Sequence, residues 1–205
     1  MSANGGMAAK GPGRPRRASR DEVRAVALAL FAKQGYAATS LTEIARAVGV
    51  SRTTLFSYFP AKRDLMWDEF DARAERMRKS LAASAGLPPM DVIVAAILAL
   101  SHYGVADRAS FTARWRIVDA DDELRAAVAL RTAALSGEIL EHVHRCAPEL
   151  DRDRAGDVIR ALMAVGECAT SDWAGATEVS EPLDTVMARR LDPFVEALRP
   201  LLGEA

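Results

Sequence analysis

Apolar side chains recur at intervals of three and four residues along nearly the whole chain, and no stretch alternates long enough to predict a strand. The first stripe, Val23, Ala27, Leu30 and Phe31, follows Ser19-Arg-Asp-Glu22, a capping box in which serine bonds forward and glutamate reaches back. It ends at Gly35. Ser40-Leu-Thr-Glu43 repeats the signal, and Ile44, Ala45 and Val48 give a second helix its buried side. Gly49 makes the next turn, because a left-handed backbone is cheap only for glycine. Ser51 caps a short third helix, Leu55 and Phe59 anchor it inward, and Pro60 stops it. A fourth helix is expected from near Ala61 to about Ala83, striped by Met66, Phe70, Met77 and Leu81. Gly86-Leu-Pro-Pro89 is the sharpest break in the chain. Beyond it the pattern predicts five more helices, over roughly 90–105, 107–118, 121–146, 153–174 and 181–201. The expected fold class is all-α, with about nine helices and no internal repeat.

Leu41 to Lys62 therefore reads as helix, glycine turn and short polar-faced helix, the helix-turn-helix that seats one helix in the major groove of DNA. Charge adds to that picture. The net formal charge is only −1, yet residues 1–63 hold 11 Lys/Arg against 3 Asp/Glu, and the remainder holds 16 against 25. A basic head on an acidic body suits a DNA-binding segment joined to one that does not bind DNA. The expected organisation is a disordered basic arm over 1–18, a helix-turn-helix domain over 19–66 and a helical domain over 67–205.

Other features narrow the setting. Cys146 and Cys168 are too few for a disulfide framework and fit buried thiols in a reducing compartment. The first twenty residues lack the apolar core of a secretory signal. The longest apolar run, Val92 to Leu100, falls short of the ~18 residues that span a bilayer. A cytoplasmic protein with no membrane partner is expected.

The segment Phe31-Ala-Lys-Gln-Gly-Tyr-Ala-Ala-Thr-Ser-Leu-Thr-Glu-Ile-Ala45, followed by Val48-Gly-Val-Ser-Arg-Thr-Thr-Leu-Phe-Ser-Tyr-Phe-Pro-Ala-Lys-Arg-Asp-Leu65, closely resembles the TetR/AcrR family of bacterial repressors. Two positions depart from the family pattern: Phe56 stands where tyrosine is usual, and Ala61 where serine or asparagine usually caps the fourth helix. The resemblance implies a homodimer on palindromic double-stranded operator DNA. It also implies a C-terminal domain serving dimerisation and holding a pocket for a small hydrophobic effector. Trp67-Asp-Glu-Phe-Asp71 and Glu75-Arg-Met-Arg78 are similar to the mycofactocin-system branch, which adds an acyl-CoA as a candidate effector.

Arg52 opens the third helix, where a guanidinium can reach O6 and N7 of a guanine. Thr53 and Phe56 point outward with it and suit thymine methyl groups. The bland alternatives are a solvated arginine and a core phenylalanine. Thr54, Ser57 and Tyr58 suit phosphate oxygens, as does Lys62 beside the fourth helix. Thr42, at the start of the second helix, is a backbone contact by resemblance to the family. In the arm, Lys10, Arg14, Arg16 and Arg17 resemble the Arg-Pro core of an AT-hook and suit an A·T-rich minor groove; a solubilising tail is the alternative. Arg20 and Arg24 would add phosphate contacts.

In the body, Phe70, Met77, Ile97, His102, Tyr103, Phe111, Trp115 and Leu135 are the candidate pocket. His102 and Tyr103 are its polar contacts and Arg116 an anion partner. Each of these also suits ordinary core. Ile159, Leu162, Met163, Gly166, Ala169, Thr170 and Trp173 stripe the eighth helix, and Leu183, Val186, Met187, Arg190, Leu191 and Phe194 stripe the ninth. Paired with their symmetry mates they make a four-helix dimer interface, with packing inside one chain as the alternative.

Enzymatic patterns fall short. His142 and His144 lie on different helix faces, and Asp119-Ala-Asp-Asp-Glu123 lacks the glycine of a calcium loop. Neither a phosphate-cradling loop nor a nucleophile elbow is visible. No cofactor or metal is expected. The leading expectation is a ligand-responsive transcriptional repressor, a homodimer released from its operator by a small hydrophobic ligand. An effector-independent DNA-binding protein with a purely dimerising body is the second, and a helical enzyme or lipid carrier with a vestigial head the third.

Overall fold

Two capping boxes set the start of the chain's path. Ser19 accepts a hydrogen bond from the Glu22 amide ahead of α1 (Arg20–Gln34), and Ser40 does the same from Glu43 ahead of α2 (Leu41–Val48). Gly49 takes a left-handed conformation at φ 77° and turns the chain into α3 (Arg52–Tyr58). The computed structural model describes residues 18–204, so residues 1–17 of the expected basic arm lie outside the described residues, and Ala18 packs into the head core.

The fourth helix starts later than the sequence predicts. Ala61 lies in a turn and donates its amide to Asp64 Oδ2 at 2.8 Å, and α4 runs Asp64–Ala82. An aspartate three residues on thus supplies part of the cap that Ala61 lacks. α5 (Pro89–Leu100) opens on proline, and a short 3₁₀ turn (Val105–Asp107) leads into α6 (Arg108–Asp119). The sequence expectation of one helix over 90–105 overran the break, because the chain leaves helical geometry at Ser101. α7 (Asp122–Cys146), α8 (Arg152–Gly175) and α9 (Leu183–Leu198) complete the body, and a second 3₁₀ turn (Arg199–Leu202) follows. The described residues are all helical or loop, in nine α-helices, and no single helix among them is long and apolar enough to cross a membrane.

Two apolar cores form. One gathers Val23, Ala27, Phe31, Ile44, Leu55 and Phe59 from the first three helices and their ends, with Leu65 from the start of α4. It also takes Met66 and Trp67 from α4, Ile117 from α6 and Leu124 from α7, so the head rests directly on the body. The other runs through α4, α5, α7, α8 and α9 by way of Met77, Ile93, Ile139, Ile159, Leu162 and Leu191. Arg108 ties α6 to the end of α8, donating to the carbonyls of Trp173, Ala174 and Ala176 that the helix itself leaves free.

Candidate nucleic-acid interface and internal cavity

α3 is short, and its register decides its faces. Ser51 Oγ accepts from the Thr54 amide at 3.0 Å and fixes the first turn. Leu55 and Phe59, four residues apart, are fully buried and pin the helix to α2 and the start of α4. The opposite face carries Arg52, Thr53, Phe56 and Ser57, all exposed. Phe56 is 37% exposed, with the Arg52 guanidinium 5.6 Å from its ring centroid. That contact holds the two outermost side chains of the helix together as one projecting pair. Thr42 is exposed on the first turn of α2.

Several polar groups expected at phosphates have partners within the protein. Thr54 shares its hydroxyl with Ser51 at 2.8 Å, and Ser57 donates to the Thr54 carbonyl at 2.7 Å. Tyr58 is half-buried against the head core. Lys62 turns inward. Its ammonium donates to the carbonyls of Tyr36 at 2.9 Å and Thr39 at 3.2 Å and sits 4.1 Å from the Tyr36 ring centroid. The α1–α2 loop leaves those carbonyls without helical partners, so it draws in the nearest cation. The exposed cation of this turn is Arg63, which the sequence reading passed over, and Arg46 is exposed on α2. Arg20 and Arg24 converge on Asp68, at 3.2 and 3.5 Å. Arg14, Arg16 and Arg17 lie outside the described residues. Burial is the main cause that pushes the Tyr36 phenol up to about 12, helped by the nearby Glu123 and Asp121.

Behind the head lies a cavity of about 140 Å³ between α4, α5, α6, α7 and α8. Of the expected lining, Phe70, Ile97, Tyr103, Phe111, Trp115 and Leu135 face it. Three expected residues do not. Met77 is sealed in the core. His102 follows the end of α5, points to solvent and meets Asp184 at 2.8 Å. Arg116 is exposed, because it stands five positions from Phe111 and so far round α6. The polar lining comes instead from Glu69 and Arg73 on α4, Arg114 on α6, Thr132 on α7 and Glu167 on α8. Helical spacing held the signal: Phe111, Arg114, Trp115 and Val118 share one face of α6, and Met66, Phe70 and Arg73 one face of α4. Arg114 pairs with Glu69. Arg73 donates to the Leu100 carbonyl at 2.7 Å and lies 5.6 and 5.3 Å from the ring centroids of Phe70 and Tyr103. Burial pushes the Tyr103 phenol up, Arg73 pulls against it, and the hydrogen bond that the phenol donates to Glu69 adds to the rise. A wider groove of about 580 Å³ shares Trp115, Thr132 and Met163 with the cavity and continues it between α7 and α8.

The stripes expected at a dimer interface face inward. Ile159, Gly166, Trp173 and Met187 are buried within the chain, while Met163 and Thr170 line the cavity. A Cβ on Gly166 would meet Met187 Sδ at 3.2 Å and Ile97 Cγ2 at 3.7 Å, so the glycine admits α9 and α5 rather than a second copy. Of the expected positions, Arg190, paired with Asp172 at 3.1 Å, and Phe194, 44% exposed, remain on the surface.

Residues 23–66 match the family described as bacterial regulatory proteins, tetR family. The chain is 30% identical over 115 residues to a putative mycofactocin biosynthesis transcriptional regulator, MftR, of Mycobacterium tuberculosis, a match covering 56% of this chain and 58% of the relative. It is 28% identical over 205 residues to the HTH-type transcriptional regulator TcmR of Streptomyces glaucescens, covering 94% and 89%. In structure it is similar to FadR of Thermus thermophilus, a TetR-family transcriptional repressor solved in complex with lauroyl-CoA. That likeness has a TM-score of 0.51 and 23% identity, over 87% of this chain and 94% of that one.

Proposed function

This chain is a TetR-family transcriptional regulator, and from that premise we propose that it is a homodimeric repressor whose hold on operator DNA a small effector releases. The observation that carries the proposal is the double membership of Met66 and Trp67. Both belong to the head core and both line the cavity, so a ligand that displaces the cavity wall also strains the packing under the reading head. Arg52, Thr53 and Phe56 read bases in this account, while Thr42, Thr54, Ser57, Tyr58 and the arm residues Arg14, Arg16 and Arg17 position the backbone. The second copy packs against the outward positions of α8 and α9, where Ala161, Ala164, Cys168, Phe194 and Ala197 are exposed.

Tilting α4 changes the distance between two heads that must meet grooves ~34 Å or a multiple apart, and the complex loses register. The acyl-CoA reading draws on FadR and on the resemblance to MftR. Interior cavities of ~150 Å³ accept a molecule the size of benzene, so a long acyl chain would have to continue into the groove beyond Trp115. Footprinting of the DNA upstream of this gene tests the proposal. A protected palindrome, lost on adding effector, is expected; protection of an asymmetric half-site by a single protomer contradicts it.

A further inference from the structure

The cavity lining carries two arginines and two glutamates, and one of the arginines has no ion-pair partner among the described residues. Glu69 and Arg114 neutralise each other across the space between α4 and α6. Glu167 is exposed and belongs to both the cavity and the outer groove, so it stands at the mouth. Arg73 is left. Among the described residues no carboxylate pairs with it. One edge of its guanidinium donates to the Leu100 carbonyl, and its contact with the Tyr103 hydroxyl is long, at 3.5 Å. Its guanidinium carbon lies over the rings of Phe70 and Tyr103, and Nη2 of this cavity-lining arginine has no acceptor among the described residues.

The walls around that cation are aromatic. Phe111 stacks on Trp115 at 5.8 Å with their planes 20° apart, and it meets Tyr103 edge-on at 4.7 Å. Trp67 and Phe70 close the opposite side in an edge contact at 6.3 Å. Stacked and edge-on ring walls favour a planar ring over a flexible chain. A guanidinium fork favours a planar two-oxygen anion over a single-atom one. A volume near 140 Å³ limits the ring to about one.

Building on the effector-site reading above, we propose that the cavity is selective for a small monocyclic aromatic acid, its ring among Phe70, Phe111 and Trp115 and its carboxylate on Arg73. Selectivity follows from the unpaired cation. A neutral ring leaves Arg73 without a counter-charge, and an aliphatic acid leaves the ring walls without a matching face.

Calorimetric titration of the full chain with benzoate, toluene and hexanoate tests this, alongside Arg73→Gln and Arg73→Lys. Benzoate is expected to bind at least tenfold more tightly than hexanoate or toluene. Arg73→Gln should lower benzoate affinity at least tenfold while changing toluene affinity less than twofold, and Arg73→Lys should fall between. The toluene arm also reports whether the Gln variant keeps its cavity. Equal benzoate affinity in the Gln variant, or hexanoate or toluene binding as tightly as benzoate, would overturn the proposal. Release of upstream DNA separates the two levels. If hexanoate or toluene releases it and benzoate does not, the aromatic-acid inference fails and the effector site stands; if a ligand fills the cavity and DNA binding is unmoved, the effector reading itself fails.

Discussion

Lys62 and Tyr36 illustrate how single residues here serve the fold where their types would fit a ligand. Lys62 holds two loop carbonyls, and bonds of this charged kind contribute about 1.5–3 kcal/mol. Lys62→Met should therefore lower unfolding stability by about that amount in urea titrations while leaving the salt dependence of DNA binding unchanged. A lost phosphate contact would instead reduce that slope by about 1. Tyr36 makes a pH prediction. Its folded phenol sits near 12 against an ordinary value of 10.0, so the native state holds the proton more tightly than the unfolded chain. Stability is full below pH 10 and falls as pH rises toward 12, and Tyr103 acts in the same direction. Tyr36→Phe should flatten that decline between pH 10 and 12 in chemical denaturation. An unchanged slope would show that the phenol is not the group responsible.

At the level of elements, α4 joins the two halves of the protein. Within two turns it offers Met66 and Trp67 to the head core, Asp68 to Arg20 and Arg24 of α1, and Glu69, Phe70 and Arg73 to the cavity. Asp68→Ala frees Arg20 at the edge of the head, while Arg24 keeps its pair with Asp21. It should steepen the salt dependence of DNA binding by about 1 in log–log slope, measured by anisotropy across a salt series. No change would mean that Arg20 does not reach phosphate. The helices themselves were legible in the sequence, because capping boxes, Gly49, Pro60 and the apolar period fix them with local chemistry. The inward face of α3 was legible for the same reason. What the apolar period does not reveal is the neighbour: Met77 facing core, Phe70 facing a cavity and Ile159 facing its own chain give the same pattern. Hence Arg73 and Arg114 escaped notice although spacing aligned them with Phe70 and Phe111, and the buried stripes of α8 and α9 passed for an interface.

On the scale of the whole molecule, the basic N-terminal third and the acidic remainder suit a protein that meets DNA at one end, with the proposed second copy packing at the other. The surface of α8 and α9 carries Phe194 exposed beside small residues, and a charge there should oppose pairing. Phe194→Glu is expected to shift light-scattering mass from dimer toward monomer with helical content intact; a monomeric parent protein would refute the dimer. Base reading by the outward face of α3 is the proposal on which DNA recognition rests, and anisotropy of labelled upstream DNA with the Arg52→Ala protein measures it. The expected result is a loss of about 1–3 kcal/mol on the specific site with little change on unrelated DNA; binding of the specific site at unaltered strength would show that Arg52 reads no base.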